Sequence, residues 1–389
     1  MRRKLPIEEV YELLDLLVVS IAADIVPITG ENRVLAYYGL KLLNTKPRPG
    51  IEAILHQAHI GPREINQDQA EQSDVVLDDK YYIRELTISD LVFLIGPRIN
   101  AAGRIDKASD SVRLLVADKK EHAEKLAANI NELNDTRREF DNRITEEALT
   151  MISSNEKLRN AHSTVIFNEH WHKGVIGIVA SRLTDYYYRP TIVLTRANDL
   201  ITGSARSIKN FDIYDAIDHC SDLLEHFGGH KYAAGLSLKP ENIKKFQERF
   251  EEYVRENLAE DGLVPELDVD LKINFKDITD KFMRVLNQFA PFGPGNMAPV
   301  FWTENVIDAG SSHPVGAHKH LKLTVRQVGD NDTPPFSGIA FQKGDLYDRI
   351  HKGEPFSLCY HLEYNFWQGK TTLQLNVKDI KFKEELEDQ

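Results

Sequence analysis

Ser163-Thr164-Val165-Ile166-Phe167, then Trp171-His172-Lys173-Gly174-Val175-Ile176-Gly177, then Pro190-Thr191-Ile192-Val193-Leu194-Thr195 reads as strand, helix and strand. The first and last runs are short, apolar and β-branched, and a helix opens at Gly174–Gly177 between them. That is an α/β unit. A further helix precedes Phe227-Gly228-Gly229-His230. Upstream lies the strongest helical signal of the chain, from about Lys119 to Ser153. There Leu126, Ile130, Leu133, Phe140, Ile144, Ala148 and Met151 recur at helical steps, with Asp118 placed to cap the start. Such a helix spans roughly 50 Å, and its length reads as a rod connecting domains. A coiled-coil dimer is the competing reading; the short stripe and Arg137 within it speak against that.

Residues 1 to about 55 read as helix, buried strand and helix. The strand is Leu16-Leu17-Val18-Val19-Ser20-Ile21, apolar on both faces as a covered parallel strand is. It delivers Asp24 to the sheet edge where open α/β folds bind ligands. Pro47-Arg48-Pro49-Gly50 then breaks the chain. After about Leu263 short alternating strands take over: 266–275, 300–308, 320–326, 336–341, 356–366 and 371–380, the last two joined at Trp367-Gln368-Gly369-Lys370. Five or six strands in that space fit a small barrel, with an OB-fold foremost. The acidic end, Lys383 to Gln389, reads as a frayed, solvated tail.

The chain has 389 residues, 42% hydrophobic and 28% charged, which suits two or three domains and excludes a disordered or disulfide-stapled chain. Its 48 basic residues against 60 acidic ones leave a net charge of −12. Bulk coating of duplex DNA is excluded, whereas a local basic cleft is not. Cys220 and Cys359 have no zinc-finger spacing and read as reduced, buried thiols. Glu8, Glu9, Glu12 and Asp15 interrupt the only signal-like stretch, and no apolar run is long enough to cross a membrane, so a cytoplasmic protein is expected.

Four segments carry candidate chemistry. Gly96-Pro97-Arg98-Ile99-Asn100-Ala101-Ala102-Gly103-Arg104 sets two guanidinium groups and an amide among small residues, or else merely ends a helix. Gly203-Ser204-Ala205-Arg206-Ser207 has the donors of a phosphate-binding turn, without the lysine and spacing of a nucleotide triphosphatase loop; a plain surface turn is the alternative. Gly228-Gly229-His230 exposes backbone beside a titratable donor. Trp171-His172-Lys173-Gly174 brings His172 and a cation to a helix start. Together they point to one anion-binding pocket. Asp268 and Asp270 alternate with apolar residues and read as the solvent face of a strand; His313, His318 and His320 lack a nearby carboxylate, and zinc is not expected there. Tyr360, Leu362, Tyr364 and Phe366 share one strand face, read as core or as a stacking platform for single-stranded bases.

These segments, in this order and over essentially the whole chain, resemble the RecJ family of the DHH phosphoesterase superfamily. The resemblance rests on Leu14-Asp15-Leu16 running into Ile21–Pro27, the 96–104 segment, WHKGVIGIVASRL at 171–183, the 203–207 segment, FGGHKYAAG at 227–235 and PFGPGN at 291–296. It implies a 5′-to-3′ exonuclease specific for single-stranded DNA, acting in repair and recombination with Mn2+ or Mg2+. A single-stranded-DNA-binding protein is implied as a further partner. The implied fold is a multidomain α/β chain: a partial DHH domain at 1–105, a long connecting helix at 106–155, a DHH-associated domain at 156–258 and an OB-fold at 259–389. Asp24 matches a catalytic metal ligand. Ser204 and Arg206 match residues that receive a phosphate of the DNA end. Gly228, Gly229 and His230 match the signature that holds substrate, and Arg98, Asn100 and Arg104 match a cleft lining.

Two departures stand out. Met297 stands where a proline is common. More seriously, the family's Asp-x-Asp and Asp-His-His ligands belong upstream of the Asp24 segment. The nearest tripeptide, Asp218-His219-Cys220, is in the wrong domain. One aspartate cannot hold two ions, so the expectation is the C-terminal part of such an exonuclease, inactive by itself. Two other readings stand beside it: a non-catalytic single-strand-binding or scaffold relative, and a phosphodiesterase for short oligonucleotides or cyclic dinucleotides.

Overall fold

The computed structural model describes residues 6–62, 81–82, 84–367 and 370–387. In chain order the main helices are α1 (Leu14–Ala23), α2 (Gly30–Thr45), α3 (Pro49–Gln57), α4 (Gly96–Ile105), α5 (Ser109–Leu115), α6 (Lys120–Ser153), α7 (Ile176–Tyr187), α8 (Ile213–Asp218) and α9 (Ile243–Asn257). The first sheet holds β1 (Thr164–Phe167), β2 (Thr191–Ala197), β3 (Leu200–Arg206), β4 (Leu224–His230) and β5 (Ala233–Leu238). The second holds β6 (Leu271–Lys272), β7 (Phe301–Asp308), β8 (His313–Val315), β9 (His320–Gln327), β10 (Phe336–Ala340), β11 (Phe356–Trp367) and β12 (Lys370–Phe382). Two compact units result, one of residues 48–59 and 94–266, the other of 1–47, 60–93 and 267–389.

The first of these units is built on the sheet β1-β2-β3-β5-β4, parallel between β1 and β2 and antiparallel elsewhere. Successive side chains alternate between its two faces. Ile166 and Val193 face α6 and α7 in a core with Ile144, Ala148, Trp171 and Val179. Ile192, Leu194, Ala205 and Leu236 face the other way, onto Phe246 and Phe250 of α9. The 34-residue α6 is no bare rod. Its buried row, Ala123, Ala127, Ile130, Asn134, Asp141, Ile144, Ala148 and Ile152, is spent within this unit against α3, α4, α5 and α7, which leaves no seam for a coiled coil. Asp118 does not cap it; Lys119 stands at that position and no side chain closes the turn.

The other unit corrects the reading of residues 16–21. They are helical, within α1, and the residue buried deepest, Val18, is one turn from Leu14 and Ala22. A continuous apolar run does not distinguish a covered strand from a buried helix. Here α1 packs on α2 through Gly39, where a Cβ would stand 2.5 Å from the Leu14 carbonyl oxygen. Asp24 therefore ends a helix, not a strand. Residues 288–294 brace the loop that follows and the start of α2: Ile28 N donates to the Pro294 carbonyl at 2.6 Å, and Arg33 Nη2 donates to the carbonyls of Gln288 and Ala290 at 2.9 and 3.2 Å.

In the same unit β7, β11, β12, β10 and β9 pair in turn, and β9 pairs back to β7. Five strands thus close a barrel, which removes the open edges of a free sheet. β6 and β8 are attached outside the ring. The strand expected at 266–275 shrinks to Leu271–Lys272, because the Asp270 carboxylate accepts from Val300 N at 2.8 Å just before it. Asp268 and Asp270 are exposed, but not as one face of a strand: residues 267–270 precede β6, and Leu267, Val269 and Leu271 are exposed with them, so the alternation expected there does not form. Tyr360 and Leu362 are core, with Tyr360 and Thr303 sharing a buried hydroxyl hydrogen bond of 2.7 Å, whereas Tyr364 is 52% exposed. The turn residues Gln368 and Gly369 lie outside the described residues, while the strands on either side pair as far as Trp367–Lys370. The acidic tail is not frayed at its start: Glu384 and Glu385 sit beside Arg349, which also stacks on Phe382.

Candidate phosphate site

β3 decides the geometry. The segment 203–207, expected as a turn, is mostly strand: Thr202, Ser204 and Arg206 point to the α7 face, and Ile201 and Ala205 to the opposite core. Trp171 anchors the entry to α7. Its ring is buried, Nε1 donates to Glu147 Oε2 at 2.7 Å, and its carbonyl accepts from Thr195 Oγ1 at 2.7 Å. That fixes Lys173, Gly174 and Gly177 opposite Ser204. Arg104, at the end of α4, donates from Nη1 to the Gly174 carbonyl at 3.1 Å. Gly174 must be glycine, since a Cβ would stand 2.4 Å from the Arg104 carbonyl oxygen.

The pocket so formed has a volume of about 410 Å³ and is lined by Gly103, Arg104, Lys173, Gly174, Ile176, Gly177, Thr202, Gly203, Ser204 and Arg206. Three cations, two hydroxyls and bare glycine backbone face it, and no carboxylate does. Among the described residues no acid pairs with Arg104, Lys173 or Arg206. Burial foremost, then Arg104, holds the Arg206 pKa below its ordinary value. Such a site offers the donors a tetrahedral oxyanion takes.

The floor continues across the sheet. Paired residues of antiparallel strands share a face, so the row Ser204–Gly235–Gly228 runs from β3 over β5 to β4, with Arg206–Ala233–His230 and Thr202–Ser237–His226 beside it. α7 covers β2 and β3 on this face. Beyond them Gly235, Gly228, His226 and His230 are exposed. A trough paved with glycine and alanine thus leads from the pocket to two imidazoles, of which His230 accepts through Nδ1 from Tyr232 N at 3.3 Å.

Of the residues named from sequence, Arg104, Ser204 and Arg206 meet in the pocket, Gly228 and His230 lie along its trough, and Gly229 between them pairs with Ala234 in the row that faces the opposite core. Three others are placed elsewhere. Arg98 spends its guanidinium inside the unit, on Asn131 Oδ1 at 3.0 Å and on the Leu94 and Gln57 carbonyls at 2.8 and 3.4 Å. Asn100 is exposed and outside the lining. His172 stacks on Phe140 with centroids 5.3 Å apart and accepts through Nδ1 from Gly174 N at 3.2 Å, so it shapes the loop behind the pocket. Sequence reasoning missed Gly235 and His226, whose period-two alternation with Gly228 and Ala233 was the available signal. It also missed Ser181, one helical turn from Gly177.

Asp24 belongs to the other unit. It is exposed, its carboxylate makes no hydrogen bond or ion pair among the described residues, and Ile25 after it has φ 54°. Among the described residues no three His, Cys, Asp or Glu side chains stand together as a metal site would require. A lone carboxylate does not hold the ions that two-metal hydrolysis needs. None of the described helices is long and apolar enough to cross a membrane.

Residues 160–256 match the DHHA1 domain, and residues 269–379 match the RecJ OB domain. Single-stranded-DNA-specific exonuclease RecJ of Bacillus subtilis (strain 168) is 34% identical over 376 residues, 96% of this chain and 44% of the relative. The protein of the same name from Escherichia coli (strain K12) is 34% identical over 389 residues, 97% of this chain and 62% of the relative. The chain is similar to RecJ over nearly its whole length. Its fold is that of RecJ from Thermus thermophilus as crystallised in complex with Mn2+, with a TM-score of 0.75 at 24% identity over 95% of this chain and 50% of that one. The chain spans about half the length of the curated relatives it matches. Its pocket lies wholly within the unit that contains the DHHA1 match.

Proposed function

We propose that the chain is the DNA-end-gripping part of a RecJ-type 5′-to-3′ exonuclease specific for single-stranded DNA, and that the pocket of Arg104, Lys173, Ser204 and Arg206 receives the phosphate of the 5′ end. The observation that carries this is a pocket with three cations and no carboxylate, opening onto a glycine-floored trough. The trough receives the first nucleotide beside His230, and the barrel of β7 and β9–β12 supplies a further single-strand-binding surface. Mn2+ or Mg2+ would supply phosphodiester hydrolysis in the family's enzymes. Asp24 is offered as one ligand, and the described residues do not complete a site, so they support no hydrolytic step. The reading carries domain limits of 1–105, 106–155, 156–258 and 259–389. On the resemblance alone it includes a role in repair and recombination, a cytoplasmic location and a single-stranded-DNA-binding protein as partner.

The test compares binding of an oligothymidylate with a 5′-phosphate and the same strand with a 5′-hydroxyl. The phosphorylated strand binds the chain more tightly. Arg206→Ala lowers its affinity by about tenfold or more, the worth of a charge-assisted hydrogen bond, and leaves the hydroxyl strand nearly unaffected. Equal losses for both strands contradict the phosphate role. The 389-residue chain with Mn2+ is expected to leave a labelled single strand intact, and robust digestion refutes that.

A further inference from the structure

Arg206 is held by three acceptors, none of them charged. Nε donates to Ser181 Oγ at 3.2 Å, and Nη1 donates to Ser204 Oγ at 3.1 Å and to the Ala205 carbonyl at 2.7 Å. Ser181 lies on α7, and its hydroxyl donates to the Gly177 carbonyl at 3.2 Å. Its single proton is therefore committed, and its lone pairs face the guanidinium. Nη2 makes no hydrogen bond among the described residues. It lies against Gly177, where a Cβ would be 3.2 Å from Nη2 and 2.9 Å from Ser204 Oγ.

A guanidinium fork is most often oriented by a carboxylate, which fixes its plane and cancels its charge together. In this pocket the two effects are separated. The plane of Arg206 is fixed from behind by neutral oxygens while its full charge remains directed at the pocket, next to Arg104 and Lys173. Resting on the reading of this pocket as a terminal-phosphate site, we infer that Ser181 is a positioning residue: its hydroxyl orients Arg206 without neutralising it, so that the pocket selects the dianionic phosphate monoester of a strand end over a singly charged phosphodiester. A monoester carries a charge of about −1.5 to −2 at neutral pH, with a second pKa of about 6. Uncancelled guanidinium charge rewards that extra charge directly.

The test uses the whole chain and two oligothymidylates, one with a 5′-phosphate and one with a 5′-hydroxyl, at one fixed salt concentration. Ser181→Ala shrinks the preference for the phosphorylated strand by about tenfold or more, the loss expected for one hydrogen bond to a charged group. Affinity for the hydroxyl strand and the melting temperature stay as in the wild type. Ser181→Thr, which keeps the hydroxyl, restores the preference. Ser181→Asp, which keeps an acceptor and adds the cancelling charge, abolishes it. The wild-type preference falls as pH is lowered through about 6, where the monoester takes up its second proton, and hydroxyl-strand binding does not follow. If Ser181→Ala or Ser181→Asp keeps the wild-type preference while Arg206→Ala removes it, the role of Ser181 is overturned and the pocket reading stands. If the wild type shows no preference, the pocket reading itself fails.

Discussion

Gly228 and Gly229 are neighbours that are glycine for different reasons. At Gly229 φ is +153°, and a Cβ would stand 2.3 Å from the Ala233 carbonyl oxygen and 2.5 Å from the Ala234 Cα. Those are backbone atoms of the paired strand, which cannot move aside without breaking the ladder. At Gly228 nothing lies within 4 Å, and the residue shares a row with Ser204 and Gly235. Gly229→Ala should therefore cost about 2 kcal/mol or more of stability, seen as a lowered melting temperature. Gly228→Ala should change stability by no more than about 0.5 kcal/mol and yet weaken single-strand binding, because its methyl stands on the trough floor. Equal destabilisation by both would show that Gly228, like Gly229, is kept for the fold and not for the trough.

At the scale of elements, α7 closes the pocket with a residue that is poor for a helix. Glycine in a helix costs up to about 1 kcal/mol relative to alanine, so Gly177→Ala should leave the melting temperature unchanged or raise it. The added methyl would crowd Ser204 Oγ and Arg206 Nη2, and affinity for a 5′-phosphorylated strand should fall by about tenfold. Opposite signs in the two measurements identify a glycine kept for a ligand; a parallel loss of stability and binding would identify an ordinary packing site. The pocket also shows what a sequence carries at this scale. The strand–helix–strand order of 163–195 was legible because short β-branched runs and a glycine-rich helix start have different periods. Leu16–Ile21 was not, since an apolar run without alternation suits a helix buried against Gly39 as well as a covered strand. Ser204 and Arg206 stood out by chemistry, while their strand conformation lay in the alternation with Gly203 and Ala205 and was obscured by the turn-like composition. That Arg98 turns inward to Asn131 while Arg104 faces the pocket depends on packing of α4 against α6, which no local pattern encodes.

For the molecule as a whole, the net charge of −12 opposes any polyanion at long range, so strand binding has to be a local effect. Each phosphate neutralised on a single strand contributes about −0.7 to the slope of log K against log salt. A 5′-hydroxyl strand lacks the terminal phosphate that the cluster of Arg104, Lys173 and Arg206 is placed to meet. A 5′-phosphorylated strand brings one further phosphate, with up to two charges, into that cluster. Its salt slope should therefore be steeper than that of the hydroxyl strand by about 0.7 to 1.4, the contribution of one to two neutralised charges. In Arg206→Ala the two slopes should converge. Both are measured by titrating each strand across a series of salt concentrations. Were the overall charge to govern binding instead, the two strands would show the same slope in the wild type, and Arg206→Ala would shift both curves without changing their difference. A difference in slope that appears only with the terminal phosphate and disappears with one guanidinium is something bulk charge cannot produce, since the variant alters the net charge by a single unit.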